Sequence, residues 1–437
     1  MKPAMRNYVT HTLLWVLRAL VLGLAVGASI IALTLAVGWA TSTRKAYPFL
    51  VLFIPAGAVV TALLYAKIGP YLKDGSTQVI QMINLGISDM AHPSSIGFKQ
   101  DTESHYSKIS TKMAPLLFVN TFITHLVGAS GGKEGVGVQI GASIGGNLNR
   151  FEHYLFHRNA LGIDMKQQGI WLISGAGAAF GALFNAPVAG TLFGLQFSSP
   201  RENRTDALLP CLVSSVTACL LGQALNVKTF RPLAVESFPL TLKTILALSI
   251  MAVAFGLISR VFCIVVHYSK NFFAQIKRSL LLRAFIASFC LLAATLIIYV
   301  LTGSFQYNGL SIDLIVQAQL GKTGFADPLY KLLLTALTLG SGFVGGEVIP
   351  ILVIGSTCGA LFASLSPIPV SALAMFGSIG MLSGSTKLPL ACFVLGLELF
   401  GYTNPLSLFL VASLSFVASG KQGIYEKQIL PESIYQI

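Results

Sequence analysis

Long apolar runs constrain this chain more than any other feature. Residues 12–40 are nearly all apolar, with Arg18 close to the start, and residues 244–267 and 284–301 read the same way. A helix crosses a bilayer with about 20 apolar residues. The first run is too long for a signal-peptide core and no convincing small-residue cleavage site follows it. It reads as a retained helix, tilted to fit. Only 10% of the 437 residues are charged and 54% are hydrophobic. A soluble domain, which needs charge to cover its surface, carries about 25%. A polytopic, all-α membrane protein is therefore expected.

The net charge of +13 is spread over many loops. Loops of that kind orient helices beside a membrane. Nucleic-acid binding would need the cations clustered on one face, so it is not expected. A positive field also attracts anions. The six cysteines, Cys211, Cys219, Cys263, Cys290, Cys358 and Cys392, lie in apolar stretches without a CxxC pair. They read as small buried hydrophobes. His153 and His157 could share a helix face but lack a third ligand at a metal spacing, so neither metal nor cofactor is expected.

Other apolar segments are short and interrupted: 114–129, 136–148, 172–196, 332–341, 348–365 and 388–400. Their Gly and Pro would break an ordinary helix. Irregular backbone at membrane depth is tolerated only where protein buries it or water reaches it, which predicts a binding cavity. The polar stretch 67–113 reads as a glycine-rich turn, a short helix and an exposed loop. The last apolar run ends near the C-terminus, leaving no room for a soluble regulatory domain. One transmembrane domain over 1–437 is expected.

Motifs recur in one order. An acidic Gly-rich turn at Glu134 precedes Ile140-Gly-Ala-Ser-Ile-Gly145, and one at Glu347 precedes Ile354-Gly-Ser-Thr-Cys-Gly359. Ser174-Gly175 and Ser383-Gly384 follow. Pro187-Val-Ala-Gly-Thr-Leu-Phe-Gly-Leu-Gln196 then matches Pro389-Leu-Ala-Cys-Phe-Val-Leu-Gly-Leu-Glu398 in its Pro-x-Ala start and Gly-Leu end. Two related halves, roughly 50–230 and 240–430, are expected. Transporters built from repeats hold their substrate at the repeat interface.

Each turn has the chemistry of an anion site. In Gly131-Gly-Lys-Glu-Gly-Val-Gly137, glycines let the backbone approach a ligand, and the helix that follows offers unpaired N–H groups and a partial positive charge. A carboxylate at membrane depth is costly and therefore a functional candidate. Glu134 could occupy the anion site as a tethered anion, leave when protonated, and so serve as gate and proton carrier. Otherwise it only caps its helix. In Gly345-Gly-Glu-Val-Ile-Pro350, the proline suits a first helical turn, and the N–H groups of Glu347, Val348 and Ile349 would face the ligand. The Glu347 side chain is either a second titrating group or the partner of a cation such as Lys331 or Lys387.

These residues resemble the CLC family of chloride channels and anion/proton exchangers, from about residue 50 to 430. GGKEGV stands where the family has its gating glutamate in GREGP, with Lys133 for Arg and Val136 for Pro. GGEVIP stands where it has its GxFxP turn, and Tyr425 matches the tyrosine whose hydroxyl faces the central anion. The turn Lys73-Asp-Gly-Ser-Thr-Gln78 matches the family's GSGIP poorly, with Ser76 ahead of Asp74 as the replacement serine. The resemblance implies an anion site of Gly132, Lys133, Gly135, Gly346, Glu347, Val348, Ile349, Tyr425 and Ser76. GKEGVGVQIGAS, GGEVIP and Tyr307-Asn-Gly-Leu-Ser311 look most like the fluoride-transporting branch. In that branch the GGExxP glutamate matters and a threonine often stands two residues later, where this chain has Ile349. Chloride exchangers of the family carry a second proton glutamate where this chain reads Gln196-Phe197-Ser198. The implied protein is a CLC-fold homodimer with one pore per subunit, in a bacterial plasma membrane and in contact with lipid. It exports fluoride by proton antiport, with chloride conduction or chloride/proton exchange as the alternative. A membrane hydrolase using Glu134 as base lacks Ser/His or HExxH company. A scaffold with a dead pore is the remaining rival.

Overall fold

The computed structural model describes residues 3–69, 72, 75–91, 110–156, 165–200, 204–227, 229–230, 232–276, 279–401 and 404–430. They form sixteen α-helices, and β pairing among them is limited to one isolated bridge. The chain opens with α1 (Pro3–Ala46), α2 (Ile54–Ile68), α3 (Gly75–Ala91) and α4 (Met113–Val127). Next come α5 (Glu134–Phe156), α6 (Met165–Phe184), α7 (Pro187–Gln196) and α8 (Leu208–Ala224). The middle holds α9 (Leu242–Ala274), α10 (Leu280–Thr302), α11 (Ile312–Gln319) and α12 (Asp327–Gly340). The chain ends with α13 (Val348–Phe362), α14 (Val370–Thr386), α15 (Pro389–Phe400) and α16 (Pro405–Ala418).

Among the described residues, six helical stretches are long and apolar enough to cross a membrane: Val9–Ala46, Pro48–Ile68, Thr205–Ala224, Leu242–Ala274, Leu280–Thr302 and Val348–Leu365. The expected run at 12–40 is the middle of α1, whose 44 residues are about twice what a span needs. α9 and α10 expose large apolar side chains such as Ile250, Val261, Ile297 and Val300, as lipid-facing helices do. Five of the cysteines are buried. Cys290 departs from expectation: it is exposed on α10 beside exposed Ile286 and Phe289, a face whose apolar surroundings suit a thiol.

The glycine pattern explains how the broken helices pack. A Cβ on Gly141 would collide with the carbonyl oxygen of Gly175, and one on Gly145 with that of Trp171. Later in the chain, Gly355 stands against the Gly377 carbonyl and Gly359 against that of Leu373. Each IGxxxG helix thus lays bare backbone on the helix that follows it, α5 on α6 and α13 on α14. The Ser-Gly pairs are not equivalent, however. Gly175 meets Gly141 as Gly377 meets Gly355, whereas Gly384 packs on Ser259 of α9. The stretch 172–196 is broken in two at Asn185, whose φ is 54°, and Lys387 breaks the chain in the same way between α14 and α15 with φ 63°. A left-handed residue turns the chain, and Pro187 or Pro389 starts the next helix two residues later. Part of the polar stretch 67–113 forms α3; Lys73, Asp74, residues 92–109 and His157 lie outside the described residues.

Candidate functional site

The two acidic turns meet. Gly132 N–H donates to the Gly346 carbonyl and Gly346 N–H to the Gly132 carbonyl, both at 2.7 Å, forming the isolated bridge. Side chains have no room there: a Cβ on Gly346 would stand 2.7 Å from the Gly135 nitrogen, and one on Gly131 3.2 Å from the Gly345 Cα. Left-handed glycines end the preceding helices, Gly128 after α4 and Gly342 after α12, with φ of 84° and 87°. The N-termini of α5 and α13 are thereby brought together.

Glu134 is buried at this junction. Its Oε2 accepts from the Lys133 N–H at 3.0 Å, and the backbone amides of Glu134 and Ile349 also face the carboxylate. N–H groups from two helix starts thus converge on one carboxylate, an arrangement with the chemistry to hold an anion. Lys133 is the charged neighbour, its Nζ donating to Thr34 Oγ1 of α1 at 3.0 Å. Val348 and Ile349 are buried in the first turn of α13.

Glu347 is paired, but with neither lysine named from the sequence. Its Oε1 lies 3.2 Å from Nζ of Lys270 on α9. Lys387 instead donates to Ser419 Oγ and the Gly420 carbonyl, 2.6 and 2.7 Å away. Lys331 is fully buried and donates to Ser130 Oγ, Gly309 O and Ser311 Oγ at 2.7–2.9 Å, and to Tyr307 O at 3.3 Å. Asn308 Nδ2 adds a bond to the Gly128 carbonyl at 2.7 Å. The Tyr-Asn-Gly-Leu-Ser segment is thus strapped to the residues just before the Glu134 turn.

The Tyr425 ring stands edge-on to Phe197 at 4.9 Å between centroids, while its buried hydroxyl has no hydrogen-bond partner among the described residues. Both Glu134 and Glu347 act on it electrostatically. Ser76 is half-buried in the first turn of α3, next to Gly75, which packs on Gln139 of α5. Among the described residues no hydrogen bond joins it to Glu134 or Tyr425. Two residues escaped the sequence reading. Lys270 lies in a long apolar helix whose crossing partners are set by the fold. Glu398 accepts from the Val188 and Ala189 N–H groups at 3.1 and 2.8 Å, capping α7 from α15. Its only sequence signal was a carboxylate inside an apolar helix.

The sequence matches the voltage gated chloride channel family over residues 57–420. It is 28% identical over 432 residues to a "Chloride/fluoride channel protein" of Pseudomonas syringae pv. tomato, spanning 98% of this chain and 89% of that one. A crystal structure of a CLC-type fluoride/proton antiporter superposes with a TM-score of 0.84 at 28% identity, covering 95% of this chain and 98% of its own. A slow cyanobacterial Cl−/H+ antiporter shares the fold, with a TM-score of 0.61 at 22% identity over 93% of this chain and 96% of its own.

Proposed function

The chain belongs to the voltage-gated chloride channel family, and from that premise we infer that it is an integral membrane fluoride/proton antiporter that exports fluoride. The observation that carries this reading is the Glu134 carboxylate resting on backbone N–H groups from both turns. Deprotonated, Glu134 holds the anion position itself. Protonated, it loses the charge that those N–H groups attract and swings away, carrying its proton while the anion takes its place. Gly132, Lys133, Gly135, Gly346, Glu347, Val348 and Ile349 line that position, with Tyr425 beyond it. Ser76 is the weakest member of the set, supported only by its place at a helix start.

Fluoride is the preferred ion for a physical reason as well as by likeness. It holds water more tightly than chloride, so a site must replace that shell with close, strong donors. Backbone N–H groups and the Tyr425 hydroxyl, which has no partner among the described residues, supply them. The similarity to a CLC-type fluoride/proton antiporter supports the same choice. A homodimer with one pore per subunit, in a bacterial plasma membrane, completes the reading.

Purified protein in fluoride-loaded liposomes tests it. Fluoride efflux should drive proton uptake, chloride should be moved far less, and E134Q should abolish the proton flux. Proton flux unchanged in E134Q would remove Glu134 from the gate. Equal movement of chloride would remove the fluoride assignment, and no anion movement would leave a scaffold.

A further inference from the structure

Beyond the Glu134 gate, a line of ionisable groups leads from the second turn toward solvent. Glu347 Oε1 is 3.2 Å from Lys270 Nζ. His267 lies three residues before Lys270 on α9, hence on the same face. His267 Nε2 is 4.0 Å from Glu426 Oε1, within one water's reach. Exposure rises from Glu347 through His267 to Glu426, with Lys270 beside that line. The Glu347 side chain is 16% exposed, those of His267 and Lys270 27% and 36%, and that of Glu426 62%. Glu426 directly follows Tyr425, and the Ile424 carbonyl also faces the His267 ring. Ile424 is itself fixed, its N–H donating to the Ser385 carbonyl at 2.8 Å.

We propose that Glu426 and His267 form a proton relay connecting solvent to Glu347, with Lys270 as the residue that positions the Glu347 carboxylate. The proposal rests on the antiport reading above. On the Phe197 side of Tyr425, Gln196-Phe197-Ser198 offers no acid, whereas the His267 side offers two. A proton taken from water by the Glu426 carboxylate passes to His267 Nε2. The imidazolium gives it to the Glu347 carboxylate and returns to neutral. Glu347, once protonated, no longer attracts Lys270 and is free to exchange its proton with the gate.

The charged and titratable groups around this line come from several elements. On α9 itself stand Arg260, Cys263 and Lys270. Lys387 faces Cys263 from the end of α14, Glu347 precedes α13, and Tyr425 and Glu426 belong to the segment after α16. Lys270 brings a positive charge near His267, and Glu347 and Glu426 bring negative ones.

The test is fluoride-driven proton uptake in liposomes by wild type, H267Q, E426Q and K270M over a range of pH. Proton transfer through a positioned side chain contributes at least about a hundredfold in catalysis, and a relay that water can bypass should lose about tenfold. We expect that loss in H267Q, a smaller one in E426Q, and a flattened pH profile in H267Q. Added imidazole should restore proton flux in H267Q, which it would not do for a misfolded protein. Unchanged flux and pH profile in both H267Q and E426Q would overturn the relay alone. So would a loss in H267Q that imidazole fails to rescue while E426Q is normal. Fluoride movement without protons in wild type would overturn the antiport reading, and the relay with it.

Discussion

Tyr425 packs its ring against Phe197 and keeps a buried hydroxyl without an acceptor among the described residues. A buried O–H usually finds a partner, because leaving it unpaired costs about 1–3 kcal/mol. The hydroxyl donates to a transported anion in the proposed mechanism. Y425F should then weaken fluoride binding by about 1–3 kcal/mol while leaving the packing intact. Titration calorimetry of the detergent-solubilised protein measures it, and equal affinities would take Tyr425 out of the site. At this scale the sequence was legible where a residue type leaves few alternatives. Carboxylates flanked by glycines at membrane depth, Glu134 and Glu347, stood out because the bilayer makes them expensive. Their neighbours were not legible. The partner of Glu347 is Lys270, seventy-seven residues away, and the lysines suggested from the sequence hold backbone oxygens and hydroxyls instead.

Among the helices, the small-residue positions decide the crossings. Gly141 and Gly355 press on carbonyl oxygens of the next helix, which cannot move aside as a side chain can. G141L or G355L forces the crossing helices apart. Overpacking of this kind costs about 1–3 kcal/mol, and more where backbone is the obstacle. Both variants should lower the thermal midpoint in detergent, whereas leucine at Gly222, where a Cβ meets nothing within 4 Å, should leave it unchanged. A midpoint unaffected by G141L would mean that the α5–α6 crossing is looser than its backbone contact implies. The IGxxxG motifs were visible in the sequence, yet their receiving residues were not. Gly377 has no serine before it, so a comparison by letters settled on Gly384. Left-handed Asn185 and Lys387 were likewise hidden, because neither residue type demands that conformation.

Across the whole molecule, two of the polar points that join residues before 230 to residues after 240 lie at helix starts. One is the Gly132–Gly346 bridge, which sets the two helix starts around Glu134. The other is Glu398, whose carboxylate caps α7 through Val188 and Ala189. The cap works because α7 begins with Pro187, which has no N–H, so the next two N–H groups are the ones left to satisfy. Removing a helix cap costs about 0.5–2 kcal/mol, and the charge adds to it at a positive helix end. E398A should therefore destabilise the protein by about 1–2 kcal/mol, with E398Q between it and wild type, since one amide oxygen can still accept. Among the described residues no hydrogen bond joins Glu398 to Glu134, so fluoride/proton stoichiometry should stay unchanged in both variants while the thermal midpoint falls. A changed stoichiometry would instead make Glu398 part of the transport path.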